Sequence, residues 1–163
     1  MSRDVANLLK AATEAARSKR LGEAAGLLDR VLAMDPDNLR ALDLLGFVRF
    51  FQGRYAEAEA ACRRALALAP HHAYAHKGLG LCLARQGRLA EGVRELEQAI
   101  ALKPAWADPY WDLAVVLHEH RRFDAALEVL ERAIHTIPGA AERFNRLADR
   151  IRSLQGGKNR NVC

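Results

Sequence analysis

The sequence predicts an all-α protein built from a repeated helical hairpin and closed by one further helix. Ala, Leu and Arg, which favour helices, dominate the composition, and only 6% of the residues are aromatic. Four of the five prolines recur at intervals of 34 residues: Pro36, Pro70, Pro104 and Pro138. Each ends an apolar segment with helical spacing (VLAMDP, ALALAP, AIALKP, AIHTIP), where a residue without an N–H stops the helix.

Composition excludes several classes of protein. The net charge is +5, but 25 basic residues stand against 20 acidic ones without a long basic run, so we expect a mixed-charge surface and no nucleic-acid partner. No apolar segment suits a signal peptide or approaches the about 18 residues of a membrane span. Three widely spaced cysteines, Cys62, Cys82 and Cys163, agree with a cytoplasmic protein, if the chain is complete.

The prolines define four frames of two helices each, at residues 5–38, 39–72, 73–106 and 107–140. In the first helix of each frame, we expect packing residues at matching places, and the third member of every set is a small residue, alanine or glycine. These sets are Leu8, Ala11, Ala12 and Ala15; Leu42, Leu45, Gly46 and Arg49; His76, Leu79, Gly80 and Leu83; and Tyr110, Leu113, Ala114 and Leu117.

The second helix of each frame carries a packing trio whose spacings of four and three residues put its members on one face. The trios are Ala24, Leu28 and Val31; Ala58, Cys62 and Ala65; Gly92, Leu96 and Ala99; and Ala126, Leu130 and Ala133. Gly53 and Gly87 mark the turns of the second and third hairpins, because glycine tolerates the left-handed conformation that ends a helix. The first and fourth turns, Ser18–Leu21 and His120–Phe123, lack glycine.

The segments LLGFVRFFQGRYAEAEAACRRALALAP and GLGLCLARQGRLAEGVRELEQAIALKP resemble the tetratricopeptide repeat (TPR) family, and the resemblance covers Val5 to Ala140. The 34-residue period is that of this helix–turn–helix unit. The first repeat departs most, with Ala11-Ala12 where the second has Leu45-Gly46. The resemblance implies a right-handed α-solenoid whose first helices line a concave groove for a peptide or helix of a partner protein.

After the last repeat, residues 141–154 predict a capping helix with Phe144, Leu147, Ala148, Ile151 and Leu154 on one face. Terminal repeats need such a cap because their apolar face would otherwise meet water. We expect a single domain over residues 1–155 and a flexible tail over 156–163.

Residues exposed on the first helices would line the groove. At the ninth place of each frame, where the family usually has a polar residue, stand Thr13, Phe47, Leu81 and Val115. Three of these four are apolar, which favours an apolar ligand segment. The full predicted groove is Leu9, Thr13, Arg40, Leu44, Phe47, Phe51, Tyr74, Lys77, Leu81, Arg85, Asp108, Trp111, Asp112 and Val115. The alternative is that neighbouring hairpins bury some of these residues, Phe50 being the first candidate.

Charge along this groove is uneven. The first three repeats carry Lys10, Arg17, Arg40, Lys77 and Arg85, with Asp43 as an exception, and the fourth carries Asp108, Asp112 and Glu119. A ligand with an acidic portion toward the first repeats and a basic portion toward the fourth would be complementary. The alternative, which the sequence supports equally, is that these are ordinary solvated charges on a helical surface and do not select a ligand.

Other chemistry finds no support in the sequence. The carboxylate clamp with which related co-chaperones hold acidic chain ends needs cations where this chain has Leu9, Tyr74 and Gly78, or Asp43, Asp108 and Asp112. His72 and His76 lie four residues apart, but no third ligand joins them, so we expect no metal. We expect no cofactor and no catalysis, because phosphate loops and nucleophile motifs are missing.

Three functional hypotheses therefore remain. The first is an adaptor or scaffold that binds an apolar peptide or amphipathic helix, in the manner of a chaperone. The second is a self-assembling module whose groove receives the terminal helix or tail of another copy, giving a homo-oligomer. The third is a targeting domain of a larger enzyme.

Overall fold

The computed structural model describes residues 2–156, which form nine α-helices and a short 3₁₀ helix and contain no strand. The helices are α1 (Arg3–Arg17), α2 (Leu21–Met34), α3 (Leu39–Phe51), α4 (Tyr55–Leu68), α5 (Ala73–Arg85), α6 (Leu89–Leu102), α7 (Ala107–Glu119), α8 (Phe123–Thr136) and α9 (Ala141–Gly156), and the 3₁₀ helix is Pro138–Ala140. No helix in this part of the chain is long and apolar enough to cross a membrane.

The helices repeat with the proline period. Helices α3, α5 and α7 begin 34 residues apart, as do α2, α4, α6 and α8. This arrangement confirms the predicted all-α helical repeat fold. Helix α9 ends at Gly156, so this glycine belongs to the helix and not to the predicted tail. The remainder of that tail, with Cys163, lies outside the described residues.

The chain divides into two compact units at Glu95 and Leu96, inside α6. In unit 1, Met1–Glu95, the cores of the first two hairpins include the predicted second-helix residues Ala24, Leu28 and Val31 of α2 and Ala58, Cys62 and Ala65 of α4, all buried. Hairpin helices that approach closely need small residues at the contact. A Cβ at Gly92 would lie 2.7 Å from the carbonyl oxygen of Gly80, so α5 and α6 nearly touch there.

A second close approach surrounds Cys62. A Cβ added at Gly46 would lie 3.1 Å from the Cys62 sulfur, and a Cβ added at Gly78 would lie 2.9 Å from it. The two glycines therefore leave room for the thiol. A hydrogen bond with Cys82, together with burial, raises the pKa of the Cys62 thiol far above its ordinary value. The thiol therefore stays protonated and serves as a packing group.

Three predicted packing places in unit 1 differ from a simple apolar core. Ala11 of α1 is exposed. Arg49 is half-buried and makes ion pairs with Asp29 at 3.2 Å and Glu57 at 3.3 Å. His76 is also half-buried, with Nδ1 2.7 Å from a Glu95 oxygen. The two polar side chains keep their places because each has hydrogen-bonding partners.

In unit 2, Leu96–Cys163, the buried side chains come from the end of α6 and from α7, α8 and α9. Tyr110 of α7 and Phe144 of α9 lie at 2% and 0% exposure, and their rings meet edge to face with centroids 6.5 Å apart. The Tyr110 hydroxyl donates to the carbonyl oxygen of Pro104 at 3.1 Å. Phe144, Ala148 and Ile151 of α9 are buried with it, whereas Leu154 is 54% exposed.

All four hairpin turns share one backbone geometry. The residue with positive φ donates its N–H to the carbonyl oxygen three residues earlier, and the next residue donates its N–H to the carbonyl oxygen five residues earlier. These two hydrogen bonds form the Schellman motif. Glycine occupies the left-handed place at Gly53 (φ 74°) and Gly87 (φ 80°), but Lys19 (φ 58°) and Arg121 (φ 61°) occupy it in the first and fourth turns. The missing glycines therefore do not change the turn, although a side chain there is strained.

Replacing Gly92 with alanine should destabilise the protein by about 1–3 kcal/mol, because the new methyl group would meet backbone atoms of α5 that cannot rotate away. The matched control is Gly22→Ala in α2, where a Cβ meets nothing within 4 Å. That change should stabilise the helix by up to about 1 kcal/mol. Urea unfolding of both variants checks the pair, and an unchanged midpoint for Gly92→Ala would contradict the close approach.

Replacing Lys19 with glycine should stabilise the protein by about 0.5–1 kcal/mol, because glycine adopts the left-handed conformation without the steric cost that a Cβ brings. Arg17→Gly, at the last residue of α1, should have the opposite effect, since glycine is less favourable than arginine in the helical conformation. Thermal and urea unfolding measure the stability of both variants, and a lower stability of Lys19→Gly than of the parent would contradict the proposed strain.

Candidate functional site

Unit 1 carries an open depression of about 240 Å³ on its first helices. Side chains from α1, α3 and α5 line it, namely Leu9, Thr13, Arg40, Asp43, Leu44 and Tyr74. Five of these six belong to the predicted groove, and the three helices from which they come lie one repeat apart. The 34-residue spacing thus brings matching faces of successive hairpins to one surface.

An aromatic stripe continues from this depression along α3. Phe47 and Phe51 follow Asp43 at intervals of four residues, so they lie on the same face of the helix. Phe47 is 39% exposed and Phe51 is 60% exposed, and their ring centroids are 4.6 Å apart. Phe50 is half-buried against Tyr55, with centroids 5.3 Å apart, so it is not part of the exposed stripe.

Helix α5 extends the surface on the other side of α3. Tyr74 is 37% exposed, and the Lys77 ammonium lies 5.8 Å from the centre of its ring. Leu81 and Arg85 follow on the same helical face, half-buried and exposed respectively. We call Leu44, Phe47, Phe51, Tyr74 and Leu81 the aromatic–apolar surface.

Two predicted groove residues of α1 contribute less than the sequence suggests. Leu9 is only 5% exposed and packs in the core of the first hairpin, so it forms the floor of the depression. The Thr13 hydroxyl donates to the Leu9 carbonyl oxygen at 2.8 Å. Its donor is therefore satisfied within the helix, which leaves its methyl group and its acceptor capacity for a ligand.

One hydrogen-bonded pair of side chains in the depression was not predicted from the sequence. The Nε2 atom of His72, at the beginning of α5, lies 2.8 Å and 2.9 Å from the two Asp43 carboxylate oxygens. Burial raises the pKa of the Asp43 carboxyl above its ordinary value, and His72 acts in the opposite direction. The pair links α3 to α5, and only the position of His72 before the helix could have suggested it.

The other predicted groove residues lie in unit 2, on α7. Asp108, Trp111, Asp112 and Val115 are all half-buried. The Arg143 guanidinium of α9 lies 4.5 Å from the centre of the Trp111 ring and donates to Asp108 at 3.1 Å. The capping helix therefore brings arginine to a place where the sequence predicted an acidic surface.

No group of three metal-ligating side chains occurs in residues 2–156. His72 and His76, which lie four residues apart, bond to different carboxylates, Asp43 and Glu95. Each histidine is therefore hydrogen-bonded to a carboxylate of a neighbouring helix, which ties α5 to its neighbours.

Comparisons with known proteins agree with the fold. A mutant O-GlcNAc transferase from Thermobaculum terrenum is 34% identical over 81% of this chain, with a TM-score of 0.71, but the chain spans only 27% of that protein's length. MamA from Desulfovibrio magneticus is 18% identical, with a TM-score of 0.77, and the match covers 96% of this chain and 88% of the MamA chain. A thermophilic TPR protein from Thermus thermophilus is 21% identical, with a TM-score of 0.72, and the match covers 81% of this chain and 74% of that protein. The last two show the fold alone.

No curated protein sequence matches the chain. Two family profiles described as tetratricopeptide repeat do match, one over residues 9–71 and 44–109 and the other over residues 83–151. Together they span most of the chain, in agreement with the 34-residue offset of its helices. The chain therefore belongs to the tetratricopeptide repeat family, whose repeats are scaffolds for protein–protein interaction.

Proposed function

We propose that unit 1 binds an apolar peptide segment or the apolar face of an amphipathic helix of a partner protein. The observation that carries this proposal is the aromatic–apolar surface on α3 and α5, beside the depression that α1, α3 and α5 line. A contiguous exposed apolar surface usually marks an interaction site. Aromatic side chains also dominate the binding energy of most interfaces.

The exposure of Phe47 and Phe51 leaves free energy available for binding. Fully burying a phenylalanine side chain contributes about 1.5–3 kcal/mol, and Phe51 retains more than half of its accessible surface in the folded chain. The two rings already contact each other, so little conformational entropy is lost when a ligand covers them. A ligand side chain inserted beside them would enter the depression lined by Leu44 and Tyr74.

Two arginines lie at this surface. Arg40 lines the depression and Arg85 ends the exposed face of α5, while the carboxylate of Asp43 is engaged by His72. Charges at the rim of an interface mainly steer association and select partners, and they add less to affinity. An apolar segment flanked by acidic residues would therefore suit unit 1 better than one flanked by lysine or arginine.

A second candidate function follows from the 34% identity to an O-GlcNAc transferase whose length the chain covers by only 27%. The repeats would then recruit protein substrates for a catalytic domain on the same polypeptide. The reading frame of the native gene tests this, since it must encode a further domain. Both candidates assign peptide binding to the same surface of unit 1.

Replacing Phe47 and Phe51 together with asparagine should weaken peptide binding at least tenfold, about 1.4 kcal/mol, because both anchors would lose their apolar rings. Peptides for the measurement come from a displayed library of random sequences of about twelve residues, long enough for a helix of three turns. Fluorescence anisotropy of the retained peptides gives the dissociation constants. The retained sequences should be rich in leucine, isoleucine, phenylalanine and tryptophan.

The matched control is Leu68→Asn on α4, which removes an apolar side chain that is 44% exposed outside this surface. Its affinity for the same peptides should stay within about twofold of the parent, as expected for a residue outside the contact. Urea midpoints of all variants exclude unfolding as the cause. Equal affinity of Phe47→Asn/Phe51→Asn and the parent would refute the proposed surface.

A further inference from the structure

Unit 2 carries a second, chemically different depression of about 420 Å³ between α7 and α9. It is lined by Trp111, Glu142, Arg143, Arg146, Leu147 and Arg150. Three of the six are arginines, which come from one face of α9 at intervals of three and four residues. The single acidic member leaves this concave surface positively charged.

The arginines differ in how firmly they are held. Arg143 is fixed between the Asp108 carboxylate and the Trp111 ring. Arg146 pairs with Glu142, but both side chains are at least three-quarters exposed, so this pair contributes little and a ligand carboxylate can replace it. Arg150 has no carboxylate within ion-pair distance among the described residues. The depression thus presents guanidinium groups that an anion can reach.

The same depression has an apolar part. The half-buried Trp111 ring lies under Arg143, and Leu147 is 7% exposed at the edge of the core. A planar guanidinium can stack on an aromatic ring and bind a carboxylate through two N–H groups at the same time. An indole beside several arginines therefore suits a ligand that alternates carboxylates with an apolar side chain.

We propose that this depression is a second docking surface, which binds an acidic peptide segment with an apolar side chain next to its carboxylates. The carboxylates would pair with Arg146 and Arg150, and the apolar side chain would cover Trp111 beside Leu147. The proposal concerns a surface of unit 2 and does not depend on the aromatic–apolar surface of unit 1.

Charge complementarity favours a peptide over a nucleic acid. A polynucleotide presents a continuous row of phosphates, and its binding depends on many cationic contacts along that row. Here the three arginines are accompanied by the carboxylates of Asp108 and Glu142, which would repel a continuous polyanion. A short peptide can place its carboxylates at Arg146 and Arg150 alone and avoid both acidic groups.

Differential peptide selection tests the proposal. A displayed library of random sequences of about twelve residues is selected on the whole chain and, separately, on the variant Arg146→Gln/Arg150→Gln. Sequences retained only by the parent should be enriched in aspartate and glutamate beside an aromatic residue or leucine. The most enriched peptide should bind the double variant at least tenfold more weakly, and replacing its carboxylates by amides should have a similar effect.

Trp111 supplies a direct signal of occupancy. In a Trp106→Phe chain, Trp111 is the only remaining tryptophan, and its emission should change as the acidic peptide binds. Arg30→Gln, which removes an exposed arginine from α2, should leave the affinity within about twofold. The double variant Phe47→Asn/Phe51→Asn should also bind the acidic peptide normally, which separates this site from that of unit 1.

Two results would overturn the proposal. One is that the parent and Arg146→Gln/Arg150→Gln select the same sequences with the same affinities. The other is that an oligothymidylate of about twenty nucleotides binds more tightly than the selected peptide and loses affinity in the same double variant, which would indicate a surface for polyanions. Equal urea midpoints for the parent and the variant show that an affinity loss does not come from unfolding.

Discussion

The close approach of helices at small residues is the constraint on which the unit 1 fold depends. Gly92 lies against the backbone at Gly80, and Cys62 fits between Gly46 and Gly78, so larger side chains at these places would push neighbouring helices apart. Interiors packed at crystal-like density do not absorb such changes without strain. Because the small residues recur with the repeat, each hairpin can take nearly the same geometry as the one before it.

This packing also decides which side chains meet solvent. The second helices place their trios in the core, and Leu42 of α3 and Leu79 of α5 are buried in clusters that include residues of α4. The opposite faces of α1, α3 and α5 are left to form one surface in unit 1. Residues that the hairpin does not need, such as Phe47 and Phe51, remain exposed there, which is why we assign the binding function to them.

Much of this surface could be predicted, because a strict period puts residues 34 apart in equivalent environments. Thr13, Arg40, Leu44 and Tyr74 meet in the structure as their places in the repeat suggest. The burial of Leu9 could not be predicted, since the spacing of residues along a helix shows which face a side chain is on but not how deeply it is buried there. The Asp43–His72 pair does not follow from the period, because it joins a residue of α3 to the residue directly before α5, two places that the repeat does not relate to each other.

The sequence by itself determined the repeat, the helix ends and the faces that pack, since proline spacing and the 3.6-residue period are local properties of the chain. It did not determine the chemistry around Trp111, where the acidic residues of α7 suggested a negative surface. Tertiary structure decided otherwise, because α9 packs against α7 and places Arg143 on both Asp108 and the indole. Which charges face each other depends on how two distant helices dock, and that geometry follows from burying Phe144 and Ile151, residues that carry no charge.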